Sequence, residues 1–96
     1  MHGVMRSYSG EGAVELFDRI VAARDEVEKL LRGVQGFQSY TVIRTPDGGT
    51  TITVCNDKAG TDESVQVAGN WVAENASDTG AAAPTVSDGP VEIHLT

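Results

Sequence analysis

Cysteine is almost missing from this chain. The one present, Cys55, rules out an internal disulfide framework. Disulfide staples are the usual resort of small secreted domains, so their absence points to a reducing, cytoplasmic setting. Aromatic residues are also scarce, at 5% of the sequence, too few to suggest aromatic platforms. Cations are outnumbered: seven Lys and Arg face fourteen Asp and Glu, for a formal net charge of −7. Affinity for phosphate backbones comes from clustered Lys and Arg, and these seven make no stripe, so nucleic acid is not an expected partner. The same sign disfavours anionic membrane surfaces. No apolar run approaches the roughly 20 residues of a membrane span. Met1–Gly10 has no apolar h-region, and no signal peptide is expected. No two-His or His-plus-carboxylate spacing suggests a metal site. There is no internal repeat, and the one low-complexity patch is Ser77–Pro84.

What remains is enough for a single domain spanning residues 1–96. Apolar residues make up 40% of the chain, sufficient for a two-layer core. A domain this small buries only about 60% of its unfolded surface, so a partner subunit would help it. Gly3–Tyr8 alternates Val4, Arg6 and Tyr8 against Gly3, Met5 and Ser7 and predicts a short strand. Ser9 is the expected N-cap of a helix running to about Arg32, with apolar residues at Val14, Phe17, Ile20/Val21, Val27, Leu30/Leu31 and Val34, near the 3.6 period. Glu15/Arg19, Asp25/Lys29 and Glu28/Arg32 form favourable i,i+4 pairs on its other face. Gly33 and Gly36 can end the helix.

Two β-branched runs follow, Phe37–Thr45 and Thr50–Asn56, around Pro46-Asp47-Gly48-Gly49. Pro46-Asp47 suits the centre of a type I turn and Gly48 a following left-handed residue, giving a three-residue loop. That pairs Thr45 with Gly49, Val42 with Ile52 and Tyr40 with Val54. One face then holds Tyr40, Val42, Ile52 and Val54, and the other Ser39, Thr41, Ile43, Thr51, Thr53 and Cys55. A competing register pairs Thr45 with Thr50 and mixes polar and apolar residues on both faces, so the cleaner segregation favours the first. Thr61 or Asp62 caps a second helix to about Asn75, with Val65, Ala68, Trp71, Val72 and Ala76 on its apolar side. Ser77–Asp88 reads as a loop, and Pro90–Thr96, alternating Val91, Ile93 and Leu95 with Glu92, His94 and Thr96, as the last strand.

The order β-α-β-β-α-β is that of a ferredoxin-like α+β domain, an antiparallel four-stranded sheet with two helices on one face. Its second face would carry Thr, Ser, Cys and Ile, too apolar to be simply wet. A second copy packed there, face to face, would give a homodimer of the dimeric α+β barrel type.

The residues Gly36-Phe37-x-Ser39-Tyr40, Arg44-Thr45-x-Asp47-Gly48-Gly49, Thr53-Val54-x-x-Asp57-Lys58-Ala59-Gly60 and Ala68-x-x-Trp71-Val72-x-x-Asn75 resemble the dimeric α+β barrel superfamily. Within it they are similar to uncharacterised relatives of antibiotic biosynthesis monooxygenase domains, over roughly Ser9 to Ala76. The resemblance implies a protomer that dimerises through its sheet. It also implies, for some members, oxidation of polyphenols or quinols without metal or cofactor. Those oxygenases use Asn, Trp and Tyr or His around a cleft between sheet and helices. Here Asn70, Trp71 and Asn75 stand on the second helix and His94 on the expected last strand. Haem-degrading members place an Asn on the first strand, where this chain has Arg6 and Tyr8, and no axial His stands on a helix.

Two readings follow. In the first, the protein is a cofactor-independent oxygenase-like enzyme for a small aromatic or quinol compound. His94 and Asn70 are then the candidate catalytic groups, and Tyr40, Arg44, Trp71 and Asn75 the ligand-binding ones. An imidazole has an ordinary pKa near 6.5 and suits a proton acceptor, while Trp71 and Asn75, four residues apart, share a helix face. In the second, it is a non-catalytic small-ligand-binding or structural homodimer, in which Trp71 packs the helix onto the sheet and His94 faces solvent. Neither needs a cofactor or metal, and in both Cys55 is a buried structural thiol.

Overall fold

The computed structural model describes Met1–Thr96. Strand β1 (His2–Ser9) is followed by helices α1 (Ala13–Ala22) and α2 (Arg24–Arg32). The hairpin of β2 (Phe37–Thr45) and β3 (Gly48–Cys55), helix α3 (Lys58–Asn75), a turn of 3-10 helix at Ser77–Thr79 and strand β4 (Thr85–Pro90) complete the chain. The sheet is antiparallel throughout in the order β2-β3-β1-β4, with the helices on one face, so the ferredoxin-like α+β architecture is as expected. No helix is long and apolar enough to cross a membrane.

Three helices stand where two were expected, because the first helical stretch breaks at Ala23, which leaves helical geometry at φ −98°, ψ 24°. Ser9 is no cap. It ends β1, paired with Gly48, and the helix begins four residues later, at Ala13, behind Gly12 at φ 82°. At Gly12 a side chain is excluded twice over, since a Cβ there would also lie 2.3 Å from the Thr79 carbonyl oxygen. The stripe that reaches the core is Ala13, Leu16, Phe17 and Ile20, continued by Val27, Leu31 and Val34, while Val14, Val21 and Leu30 face out. Tyr8 meets Phe17 edge to face at 5.8 Å between ring centroids. Helix α3 starts earlier than expected. Asp57 is its cap, accepting a hydrogen bond from the Gly60 amide at 3.2 Å.

The hairpin departs from both registers considered. Its loop is only Pro46-Asp47, with Thr45 opposite Gly48, Val42 opposite Thr51 and Tyr40 opposite Thr53; a bulge falls between Phe37 and Ser39. Gly48 does not take a positive φ. Both glycines serve close approach instead: a Cβ on Gly48 would lie 2.2 Å from the Tyr8 carbonyl oxygen, and one on Gly49 2.5 Å from the Phe17 ring. Phe17 thereby fixes Gly49 on the helix side, and alternation carries Thr51, Thr53 and Cys55 there too. Ile52 and Val54 are turned to the open face, the reverse of the expectation.

The last strand also shifts. Thr85–Pro90, in a segment expected to be mostly loop, pairs with β1 from Ser7↔Thr85 to His2↔Pro90. The ladder ends at His2↔Pro90, and one further bond, from the Val91 amide to the Met1 carbonyl oxygen at 3.0 Å, closes it. Residues 91–96 leave the sheet, with Ile93 and Leu95 exposed. Strand β4 lies at the sheet edge, where a proline without an amide proton is tolerated.

Gly60 sets the seat of α3 on β3. A Cβ there would lie 2.3 Å from the Gln35 carbonyl oxygen and 2.7 Å from Cys55 Cβ. Neither a backbone carbonyl nor the buried Cys55 can swing aside, so Gly60→Ala is expected to cost about 1–3 kcal/mol by overpacking. Urea unfolding would show this as a lowered midpoint with unchanged slope; an unchanged midpoint would mean that α3 is not seated this tightly.

Candidate functional site

The face of the sheet beneath the helices is less apolar than a core usually is. Val4, Arg6 and Tyr8 point to that side from β1, Thr51, Thr53 and Cys55 from β3, and Tyr40 and Val42 from β2. Arg6 is 6% exposed and Thr51 1%. Both come to the centre because they are register partners on the two middle strands. Tyr40 stands opposite Thr53 on the next strand. Above them α3 supplies Trp71, and α1 and α2 supply Ile20, Val27 and Leu31.

Between the two layers lies a cavity of about 20 Å³, lined by Arg6, Tyr40, Trp71, Ile20, Val27 and Leu31 among others. That is about the room one water needs. A wider groove of about 670 Å³ lies outside it, between α1/α2 and β2, and shares Ile20, Val27, Leu31 and Tyr40 with it. Arg24, Glu28 and Arg32 edge the groove.

The hydrogen bonding of the cavity is incomplete. Arg6 donates from Nη2 to the Tyr8 hydroxyl oxygen, and its guanidinium lies 5.4 Å from the centre of the Tyr8 ring. Three buried polar atoms have no partner: Arg6 Nε, Trp71 Nε1 and Thr51 Oγ1. No carboxylate lies within 4.0 Å of Arg6, whereas Arg19 holds two and Arg32 and Arg44 one each. Nor are the tyrosines counter-ions. Burial raises both phenols above their ordinary value of about 10, outweighing the opposing pull of the Arg6 charge, so each stays neutral.

Of the candidate residues, Tyr40 and Trp71 are brought together at this cavity. Arg44 is drawn away by an ion pair with Asp18 on α1 at 2.8 Å. Asn75 is held at the end of α3, its side-chain amide donating to the Trp71 carbonyl oxygen at 3.0 Å and its own carbonyl accepting from Arg19 at 3.1 Å. Asn70 is exposed on the outer side of α3. His94 is on no strand; it lies in the exposed segment after β4, because the ladder with β1 has ended. Cys55 is fully buried, and burial pushes its thiol up, with Asp57 and Glu63 adding to the effect. The residues that sequence reasoning passed over are Arg6 and Thr51. A signal for Arg6 was present, since it shares its strand face with Val4 and Tyr8 while the other face holds only Gly3, Met5 and Ser7. A cation on the heavier face of a strand is one to suspect of burial.

No protein-family model matches the chain, and no curated protein matches it either. Solved structures share its architecture. A protein of unknown function from Nitrosomonas europaea superimposes with a TM-score of 0.70 at 13% identity, over 99% of this chain and 91% of that one. A dimeric ferredoxin-like protein from an uncultured marine organism does so with a TM-score of 0.63 at 9% identity, over 99% and 95% of the two chains. At such identities the likeness concerns the fold alone. The chain has the ferredoxin-like α+β fold, with a cavity between sheet and helices that holds an arginine without a counter-ion.

Proposed function

We propose that the protein is a homodimeric ferredoxin-like domain that binds a small aromatic molecule between its sheet and its helices. The observation that carries the reading is that two residues lining a small cavity with apolar walls, Arg6 and Trp71, keep unpartnered buried donors, Nε and Nε1, with the unpartnered Thr51 Oγ1 on the strand position opposite Arg6. Burying polar groups unpaired costs free energy, and small-ligand sites are typically apolar hollows with a few such groups left for the occupant.

The dimer is supported by the open sheet face. Met5, Ile43 and Ile52 form its centre, and Ser7, Ser39, Thr41, Thr50, Thr85 and Ser87 surround them; Val54 on the same side is already buried within the protomer. Met5 and Ile43 are each 47% exposed. In a chain with 22% charged residues, β1 to β4 place no charge on this face. An apolar centre with an uncharged polar surround is the anatomy of an interface. One of the proteins sharing the fold is described as dimeric. The single free thiol fits a reducing, cytoplasmic setting.

A second reading, a cofactor-independent oxygenase similar to antibiotic biosynthesis monooxygenase domains, is favoured by the meeting of Tyr40 and Trp71 at one cavity. The binding reading is preferred because His94, Asn70, Asn75 and Arg44 do not converge with them.

Trp71 is the only tryptophan, so its emission reports the cavity alone. Titration with benzyl alcohol, hydroquinone and benzoate should change it saturably for at least one, without oxygen uptake on hydroquinone. Oxygen consumption would favour the oxygenase, and no response to any aromatic would overturn both readings. Sedimentation at micromolar concentration should give the dimer mass; a monomer would overturn the dimer.

A further inference from the structure

We propose that the cavity's occupant is a small aromatic monocarboxylate, its carboxylate on Arg6 and its ring in the groove between α2 and β2. This rests on the small-ligand reading above.

The charge of Arg6 is the starting point. A guanidinium stays charged throughout the range in which proteins fold, and a buried ion is costly unless it is paired. The chain has fourteen side-chain carboxylates, yet none is spent on Arg6, while the more exposed Arg19 is given two and Arg32 and Arg44 one each. The Tyr8 hydroxyl supplies one acceptor and no charge. An anion is what the site lacks.

The surroundings narrow the choice of anion. Trp71 Nε1 adds a second idle donor at the cavity, and the Thr51 hydroxyl can donate beside Arg6. A planar guanidinium matches a planar carboxylate in two parallel hydrogen bonds. Phosphate or sulfate would bring three or four polar oxygens against Ile20, Val27, Leu31 and Val72, which can bond none of them. A carboxylate directs both oxygens to the donors and leaves an apolar remainder. At about 20 Å³, the room of one water, the cavity takes little more than one carboxylate oxygen. The remainder must therefore lie in the adjoining groove of about 670 Å³, which shares Tyr40, Ile20, Val27 and Leu31 with it. These walls and the flat face of Tyr40 suit a ring, and at the rim Arg24 and Arg32 outweigh Glu28, leaving the sign that draws an anion in.

The test compares benzoate, benzyl alcohol and acetate on the full chain, read by Trp71 emission and by thermal shift. Benzoate should bind at least tenfold more tightly than either of the others and raise the melting temperature. In Arg6→Gln the preference for benzoate over benzyl alcohol should disappear, and in Arg6→Lys, which keeps the charge but not the fork, it should weaken. Equal binding of benzoate and benzyl alcohol would overturn the carboxylate assignment and leave the small-ligand reading standing. Acetate binding as tightly as benzoate would overturn the placing of a ring in the groove. Binding of none of the three would overturn this proposal, and extending that failure to hydroquinone would overturn the reading beneath it. Should Arg6→Gln fail to fold, the comparison of benzoate with benzyl alcohol on the unaltered protein decides alone.

Discussion

Phe17→Ala is expected to lower stability by about 3–5 kcal/mol, the cost of removing a buried phenylalanine and leaving a cavity. Phe17 is fully buried. Its ring packs edge to face on Tyr8 and covers Gly49, so it joins α1 to both middle strands of the sheet. The glycine beneath it has no side chain with which to fill the gap. Stabilities of small domains run at about 5–15 kcal/mol, so the variant would lose a large part of the total. For a chain of this length each kcal/mol is about 4–8 °C in Tm, and the melting temperature should fall by on the order of 15–30 °C. Scanning calorimetry measures it directly; a fall of only a few degrees would mean that Phe17 does not hold the helix layer to the sheet.

Ile52→Asp should convert the proposed dimer to monomer while leaving the protomer folded. Ile52 stands on a central strand, opposite Met5 on one neighbour and Thr41 on the other. It lies on the open face, away from the helices, so the substitution does not enter the core. In a two-fold interface the same change is made twice, and each unpaired carboxylate taken out of water costs several kcal/mol. Since about 1.4 kcal/mol is a factor of ten, the dimer dissociation constant should rise at least a thousandfold. Sedimentation equilibrium should give a monomer with unaltered far-ultraviolet circular dichroism. A variant that still sediments as a dimer would place the interface on another surface.

The elements that sequence made legible are those whose burial pattern is local. The α1–α2 stripe through Phe17, Ile20, Val27 and Leu31 follows from the helical period, and β1 from its alternation. The misreadings share another cause: they depend on what lies across from a residue. Gly48-Gly49 has a turn composition, and only the nearness of Tyr8 and Phe17 makes both glycines strand residues. That one-residue difference turned Ile52 and Val54 outward and brought Thr51 and Thr53 beneath the helices. Val91, Ile93 and Leu95 alternate as a strand should, but the ladder with β1 closes at Pro90 and they lie outside it. The less regular Thr85–Pro90 takes the edge, and His94 goes with the unpaired segment.

The candidate site divides the same way. Tyr40 and Trp71 could be placed near each other because each lay on the expected inner face of its own element. Asn75 and Arg44 could not be placed, since their partners, Arg19 and Asp18, come from α1, distant in sequence. Arg6 was half legible. Its strand face was clear, but a buried cation is ordinarily accompanied by an acid, and only the assembled fold shows that none approaches.

The carboxylate proposed to sit on Arg6 in the cavity beside Trp71 has a direct reporter. With a single tryptophan, the ¹⁵N-labelled protein gives one indole N–H cross-peak, from Trp71 Nε1. Titration with sodium benzoate should move that peak saturably, while sodium chloride at equal ionic strength leaves it in place and Arg6→Gln abolishes the shift. An indole peak unmoved by benzoate, or one moved as far by chloride, would contradict that placement.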